Sequence, residues 1–302
     1  MLPDELERVA ERHVPGAGAL DIHPLSHGVV NDTYQVRRGG AVYAMRVAVS
    51  GTRDLGLDRA WEARLLERAA AAQLAPAVEY CDPKLGILIS RWVEGRQWHP
   101  ADVRRSSGIS RMAEFLRRIH ALPMPAQERY MDAGKWIDYY SRAAHENAAP
   151  NSASAGALWA AAGERLAALA LLPSADPVLC HSDLHTLNLI DRGQTLVLLD
   201  WEYAHAADPF WDLAGWSANN DFGHQLRHEF LAAYNGRPPT PSEHSRLDLL
   251  VWLYDYVGLL WCELCLARYA DPWPGDAARD GVADRLRQLA GRLATTASSR
   301  AV

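Results

Sequence analysis

Two short apolar runs, Val178-Leu179-Cys180 and Leu196-Val197-Leu198-Leu199, bracket a polar stretch and fix what the middle of this chain can be. Runs that short read as strand pieces of a loop and hairpin. Such a scaffold presents the side chains between and after them at defined points. Those are His181-Ser182-Asp183-Leu184-His185-Thr186-Leu187-Asn188 and then Asp200-Trp201-Glu202-Tyr203-Ala204. An acid, an amide and a second acid in this order suit phosphoryl transfer. Asp183 would accept the proton of an attacking hydroxyl. Asn188 and Asp200 would supply oxygen to magnesium, which takes few protein carboxylates when phosphate oxygens complete its shell. Taken singly, Asp183 is equally a turn cap and Asp200 a strand end. The joint pattern H-x-D-L-x-x-x-N…D-W-E favours the chemical reading.

The chain around this centre changes character at Glu94-Gly95, a plausible hinge, which divides residues 1–94 from 95–302. Ahead of it, a short amphipathic helix is expected over Pro3–His13. Strand-like runs flank the turn His27-Gly28-Val29-Val30-Asn31, and a strand covers Ala41–Val49 after the turn Arg38-Gly39-Gly40. A helix over Asp58–Gln73 carries Trp61, Leu65, Leu66 and Ala69 at helical spacing. Further strands cover Val78–Cys81 and Leu85–Val93. Behind the hinge, helices are expected at Ser110–Leu122, Leu158–Leu172, Pro209–Ser217, Gly223–Asn235, Ser242–Tyr269 and Ala277–Thr296, with a mixed region from Pro125 ending in a loop-like patch at Ala148–Ala155. A small antiparallel sheet followed by a larger helical part makes an α+β, two-lobed plan.

A length of 302 residues suits two such parts. The net charge of -6 offers no basic stripe for nucleic acid. Met1–Arg12 has no apolar core of a signal peptide, and no apolar run is long enough to span a membrane. Four cysteines make no disulfide framework. Cys262 and Cys265 have C-x-x-C spacing without a second ligand pair, so they read as small hydrophobes on one helix face. A reducing cytoplasm is the expected compartment.

These motifs resemble the catalytic and metal motifs of the aminoglycoside phosphotransferase and choline kinase superfamily, whose fold is similar to that of protein kinases. His181-x-Asp183-Leu184-His185-x-x-Asn188 resembles its bacterial small-molecule kinases, and Asp200-Trp201-Glu202-Tyr203-Ala204 its choline kinase and thiamine kinase branches. Asp208-Pro209-x-x-Asp212-Leu213-Ala214 also matches. Ser110–Leu122 fits the family's helix ending in Ile119-His120. The resemblance covers nearly the whole chain and implies an ATP-dependent, magnesium-assisted kinase. In it Asp212, with His181, braces the catalytic loop. Ser26-His27-Gly28-Val29-Val30-Asn31 resembles the nucleotide loop, with His27-Gly28 where the family has a glycine pair. Arg46 stands where many relatives carry lysine, steadied by Glu62, and adenine would lie near Arg91-Trp92-Val93.

On the acceptor side, Trp211, Trp216, Trp252, Tyr254, Tyr256, Trp261 and Tyr269 are either core or a wall for an organic cation. Glu202, Asp221, Asp255 and Glu263 are available to balance its charge, with Glu202, Asp221, Tyr254 and Trp261 the substrate candidates. Choline kinases usually carry an acid soon after the Asp-Leu-Ala segment, where this chain has Asn219-Asn220. The resemblance thus implies a small, cationic alcohol of the choline, ethanolamine or thiamine type. An aminoglycoside or sugar kinase is the alternative, and a catalytically inactive nucleotide-binding module the alternative of another class.

Overall fold

A computed structural model describes residues 3–49, 55–125, 129–146, 156–268 and 276–298. The patch at Ala148–Ala155 and Tyr269 lie outside the described residues. The chain forms two compact units. The first comprises Met1–Arg96, Leu189–Glu202 and Asp271–Arg279; the second Gln97–Asn188, Tyr203–Ala270 and Asp280–Val302. The class is α+β, with the sheet early in the chain and the helices late.

The first unit is built on a five-stranded antiparallel sheet of order β1-β2-β3-β5-β4. Its strands are β1 (Asp21–His27), β2 (Asn31–Arg38), β3 (Ala41–Ala48), β4 (Val78–Asp82) and β5 (Ile87–Arg91). Alternation decides its faces. On β3, Tyr43, Met45 and Val47 are buried, so Arg46 points to the other face. The buried set packs against Val36, Ile87 and Ile89 and against Leu6 and Ala10 of helix α1 (Pro3–His13). Met45 is completely buried, a side chain whose burial contributes roughly 2 kcal/mol. On the sequence side, Asp58 caps helix α2 (Arg59–Ala71) by accepting a hydrogen bond from the Trp61 amide at 2.9 Å.

Later in the chain, β8 (Leu189–Asp191) and β9 (Leu196–Leu198) form the expected hairpin, with Leu189 opposite Leu198. It joins the first unit, where the Leu198 amide donates to the Leu74 carbonyl at 2.8 Å. Trp201, with no exposed surface, donates its indole N–H to the Leu198 carbonyl at 2.9 Å. This anchor fixes the segment that carries Asp200.

The second unit is helical. Helix α4 (Ser106–His120) begins four residues before its expected start and follows α3 (Pro100–Arg104), a short helix that periodicity did not mark. The mixed region contains α5 (Ala133–Glu146), and α6 (Ala157–Ala170) follows. Strand β7 (Val178–Cys180) pairs antiparallel with β10 (His205–Ala207), Cys180 opposite His205. This two-strand clamp holds the start of the loop after Cys180. Helices α7 (Phe210–Asn219), α8 (His224–Asn235), α9 (Pro241–Arg268) and α10 (Asp276–Ser298) complete the unit.

One sequence expectation fails on α9. A stretch within Pro241–Ala267 is long and apolar enough to cross a membrane by length and composition, although 72% of it is buried inside the protein. The physical reason is its position: α5, α6 and α7 all pack on it, so it is apolar around most of its circumference, as a central helix is. Cys262 and Cys265 are both buried on this helix.

Candidate active site

In the second unit, the loop after β7 is built on a buried carboxylate. Asp212, at the first turn of α7 and with no exposed surface, accepts hydrogen bonds from the backbone amides of His181 at 2.9 Å and Ser182 at 2.8 Å. His120, the last residue of α4, reaches the same carboxylate through Nε2 at 3.2 Å, while its Nδ1 meets the Tyr234 hydroxyl at 2.7 Å. Burial alone would raise the Asp212 pKa. The hydrogen bond and charge of His120, His181 and the Ser182 amide outweigh it and hold the carboxyl below its usual range. Ser182 takes φ +70, a left-handed conformation that costs a non-glycine residue about 1 kcal/mol. That turn of backbone aims the next residue, Asp183, out of the clamp.

Asp183 is half-buried. Asn188, at the end of a short 3-10 turn over Thr186–Asn188, donates through Nδ2 to the Asp183 backbone carbonyl and to its Oδ2, each at 3.2 Å. His185 Nε2 lies 3.4 Å from the same carboxylate and 3.0 Å from Asn188 Nδ2. Burial again works to raise the Asp183 pKa, but His185, His181 and the Asn188 amide together lower it. The group is therefore ionised and able to orient a hydroxyl by accepting from it. Because its nitrogen faces Asp183 and His185, the Asn188 carbonyl oxygen is turned to the opposite side.

The backbone on either side of Asp183 is held from behind. Tyr254 of α9 donates its hydroxyl hydrogen to the Ser182 carbonyl at 3.2 Å, and Asn219 Nδ2 donates to the Leu184 carbonyl at 2.9 Å. Gly215 allows this: a Cβ there would lie 2.8 Å from the Tyr254 ring, too close to coexist with it. Trp261 donates to the Tyr203 hydroxyl at 2.8 Å. Asp221, exposed and also at positive φ, pairs with Arg292 at 2.8 Å, and Arg292 reaches Asp255 at 2.6 Å. Asp221 and Asp255, two of the four acids expected to balance a cation, thus share one arginine, and a third, Glu202, pairs with Arg59. Most of the expected aromatic wall is core: Trp216 and Tyr256 have no exposed surface, and Trp252 stacks on Tyr256 with Arg165 over its ring.

The first unit holds a buried charge cluster. Arg46, opposite Thr33 and Leu88 in the sheet, pairs with both Glu62 and Asp200. Glu62, 3% exposed, also accepts from Arg59 at 2.9 Å. Arg59 in turn reaches Glu202 at 2.7 Å and Asn31 Oδ1 at 2.8 Å, and Asn31 Nδ2 donates to Glu202 at 2.7 Å. Burial disfavours the Arg46 cation, but Glu62, Asp200 and Glu202 raise its pKa on balance. Burial also acts to raise Glu62, which Arg46 and Arg59 hold low. Glu202 is pushed up to about 8, by burial first and by the charge of Asp200 second. Asp200 itself sits at φ +60.

Arg59 was not singled out from sequence, although its spacing of three residues from Glu62 on one helix face was a usable signal. The same holds for His185, which lay within the motif. Nearby, the Gly28 amide donates to the Asn31 carbonyl at 3.0 Å, and a Cβ at Gly28 would come within 2.6 Å of that oxygen, so only glycine closes the turn. His27 ends β1. Arg91 is engaged with Glu79 and lies over the Tyr43 ring, and the Trp92 amide donates to the Val42 carbonyl at 3.1 Å, just before Val93.

The Asn188 amide carbonyl in the second unit and the Asp200 carboxylate in the first are each, taken singly, hard oxygen donors of the kind magnesium takes. His120, Cys180 and Asp212 also lie close enough together to share an ion, but all three are buried and Asp212 is spent on backbone amides.

The sheet-then-helices order is that of a kinase-like fold. Residues 21–249, well over half of the chain, match the model of the phosphotransferase enzyme family, APH, and the protein belongs to that family. It is a small-molecule phosphotransferase. Among solved structures it is similar to a choline/ethanolamine kinase family protein from Mesorhizobium loti, with 25% identity and TM-score 0.71 over 96% of this chain and 95% of that one. A choline kinase from Streptococcus pneumoniae shares the fold at 20% identity and TM-score 0.71, covering 97% of this chain and 99% of its own. So does a spectinomycin phosphotransferase solved with ADP and spectinomycin, at 14% identity and TM-score 0.60, covering 95% and 94%. No curated protein matches the chain in sequence.

Proposed function

We propose that this phosphotransferase moves the γ-phosphoryl group of ATP to the hydroxyl of a small metabolite, with alcohols of the choline, ethanolamine and thiamine type the first class to test. The observation that carries the reading is the ionised Asp183, aimed by its braced loop and bonded to Asn188. The acceptor oxygen attacks the γ-phosphorus, the bond to the β–γ bridging oxygen breaks, and ADP leaves. Asp183 takes the hydroxyl proton. Arg46, fixed by Glu62, holds nucleotide phosphate, and Gly28 and Asn31 shape the turn whose amides approach it. Asn188 and Asp200 are the oxygen donors that would hold magnesium, which would supply neutralisation of the phosphate charge. Most of the rate then comes from positioning and charge stabilisation. Nucleotide as co-substrate is supported by relatives solved with AMP or ADP.

A neutral, sugar-like acceptor is the second reading. It is favoured by the pairing of Asp221 and Asp255 with Arg292, which removes two acids from duty toward a cation. The four free cysteines fit a reducing cytoplasm. The deciding experiment is ADP release from ATP and magnesium over choline, ethanolamine, thiamine, aminoglycosides and simple sugars, with Asp183→Ala as control. Release that depends on one acceptor and vanishes in the control supports the reading. ATP binding with no turnover on any acceptor would instead favour an inactive nucleotide-binding module.

A further inference from the structure

We infer that Arg285 of α10, acting through Asn219, is a positioning residue for Asp183; the kinetic part of this rests on the function proposed above. Arg285 donates to Asn219 Oδ1 at 2.7 Å. An amide has one oxygen and one nitrogen end, so a cation on the oxygen forces the nitrogen to the other side. There Nδ2 donates to the Leu184 carbonyl at 2.9 Å and lies 3.5 Å from the Tyr254 hydroxyl. With an NH2 group facing it, that hydroxyl directs its own hydrogen to the Ser182 carbonyl at 3.2 Å. The two carbonyls flanking Asp183 are therefore held by one relay whose polarity is set by Arg285. Charge-assisted bonds of this kind are stronger than neutral ones, which suits Arg285 as the fixed end.

The relay also explains why an amide stands at 219. An acid there would accept from Arg285 at least as well but would have no hydrogen for Leu184. Its second oxygen would face the carbonyl and repel it. Asn219 is thus a donor to the loop rather than a ligand for a cation.

The test combines exchange and kinetics on the full-length protein. Hydrogen–deuterium exchange of the peptide spanning 181–188 should quicken at least about tenfold in Arg285→Ala, return toward wild type in Arg285→Lys, and quicken again in Asn219→Asp despite its better pairing with Arg285. With the best acceptor from the panel, kcat should fall about ten- to a hundredfold in Arg285→Ala and Asn219→Asp, while KM for ATP changes less than threefold. Wild-type exchange in Arg285→Ala overturns the inference, as does Asn219→Asp with wild-type kcat. If wild type and Asp183→Ala release ADP alike on every acceptor, the phosphotransfer assignment of Asp183 fails, and the exchange result, which needs no turnover, still decides the role of Arg285.

Discussion

Replacing Asp212 by Asn isolates the brace beneath the loop. The change keeps the side-chain shape and removes one acceptor and the charge. In the native protein one carboxylate oxygen accepts from the Ser182 amide at 2.8 Å, and the other from the His181 amide at 2.9 Å and from His120 at 3.2 Å. An Asn in either flip keeps one backbone bond and turns an NH2 group toward the other N–H. A hydrogen bond to a charged group contributes about 1.5–3 kcal/mol, and a buried donor without a partner costs about 1–3 kcal/mol. The two effects overlap at one site, so the expected loss is about 3 kcal/mol. For a chain of 302 residues, with an unfolding entropy of about 2.1 cal/mol/K per residue, that lowers the melting temperature by roughly 5 °C. Circular dichroism melts measure the stability, and ADP release at a temperature where both proteins are folded measures the consequence for Asp183. Turnover should fall about a hundredfold, as expected for a catalytic group displaced by about an ångström. A variant within about 0.5 kcal/mol of wild type, the range of an unremarkable surface change, would refute the claim that these bonds support the loop. A destabilised variant with unchanged turnover would refute the link from brace to Asp183.

At Gly28, an Ala Cβ would press on the Asn31 carbonyl at 2.6 Å and open the turn, so Gly28→Ala should raise KM for ATP several-fold with little change in kcat; an unchanged KM would remove this turn from nucleotide binding. His205 is buried against Ser182, and its pKa is lowered to about 4, chiefly by burial. The unfolded chain takes up that proton near 6.5, so stability present above pH 6.5 is lost as pH falls toward 4, by about 3 kcal/mol in all. Urea denaturation between pH 7 and 4 should show this slope in wild type and a flatter one in His205→Asn; equal slopes would mean another group is responsible. Gly215→Val would place a Cβ 2.8 Å from the Tyr254 ring, so it should displace the ring and lower kcat at least about tenfold, and a fully active variant would show that Tyr254 is not needed behind the loop.

Much of the fold was legible because its signals are local. Helix α1 follows from apolar spacing and Pro15-Gly16, and β2 and β3 from alternation around Gly39-Gly40. Helix α2 follows from Asp58 and the Trp61, Leu65, Leu66 stripe. What escaped is set by tertiary contact. Helix α3 is too short to show periodicity, and β10 is a strand only because β7 lies beside it. The apolar length of α9 reflects the helices that surround it, which no count along the chain reports.

The same division runs through the site. The acid–amide–acid pattern drew attention to Asp183, Asn188 and Asp200 because the three lie in one loop and at the end of the hairpin that follows it, close enough in sequence to be read as one motif. The aromatic residues could not be sorted this way, because Trp252 in a core and Trp252 in a cation cage have the same spacing. Packing against Tyr256 and Arg165 decides between them. Arg59, Asn219 and Arg285 are visible only as partners, Arg285 being far along the chain from the Leu184 carbonyl it controls through Asn219.

The role of Asp183 is tested most directly by comparing wild type with Asp183→Asn for ATP binding by calorimetry and ADP release with the best acceptor. Asn keeps the shape and the neighbourhood of Asn188 but cannot take a proton. Nucleotide affinity within about threefold of wild type together with turnover reduced at least about a thousandfold is the predicted result, since positioning remains and only proton acceptance and charge are lost. Turnover within about tenfold of wild type would contradict the assignment of Asp183 as the base.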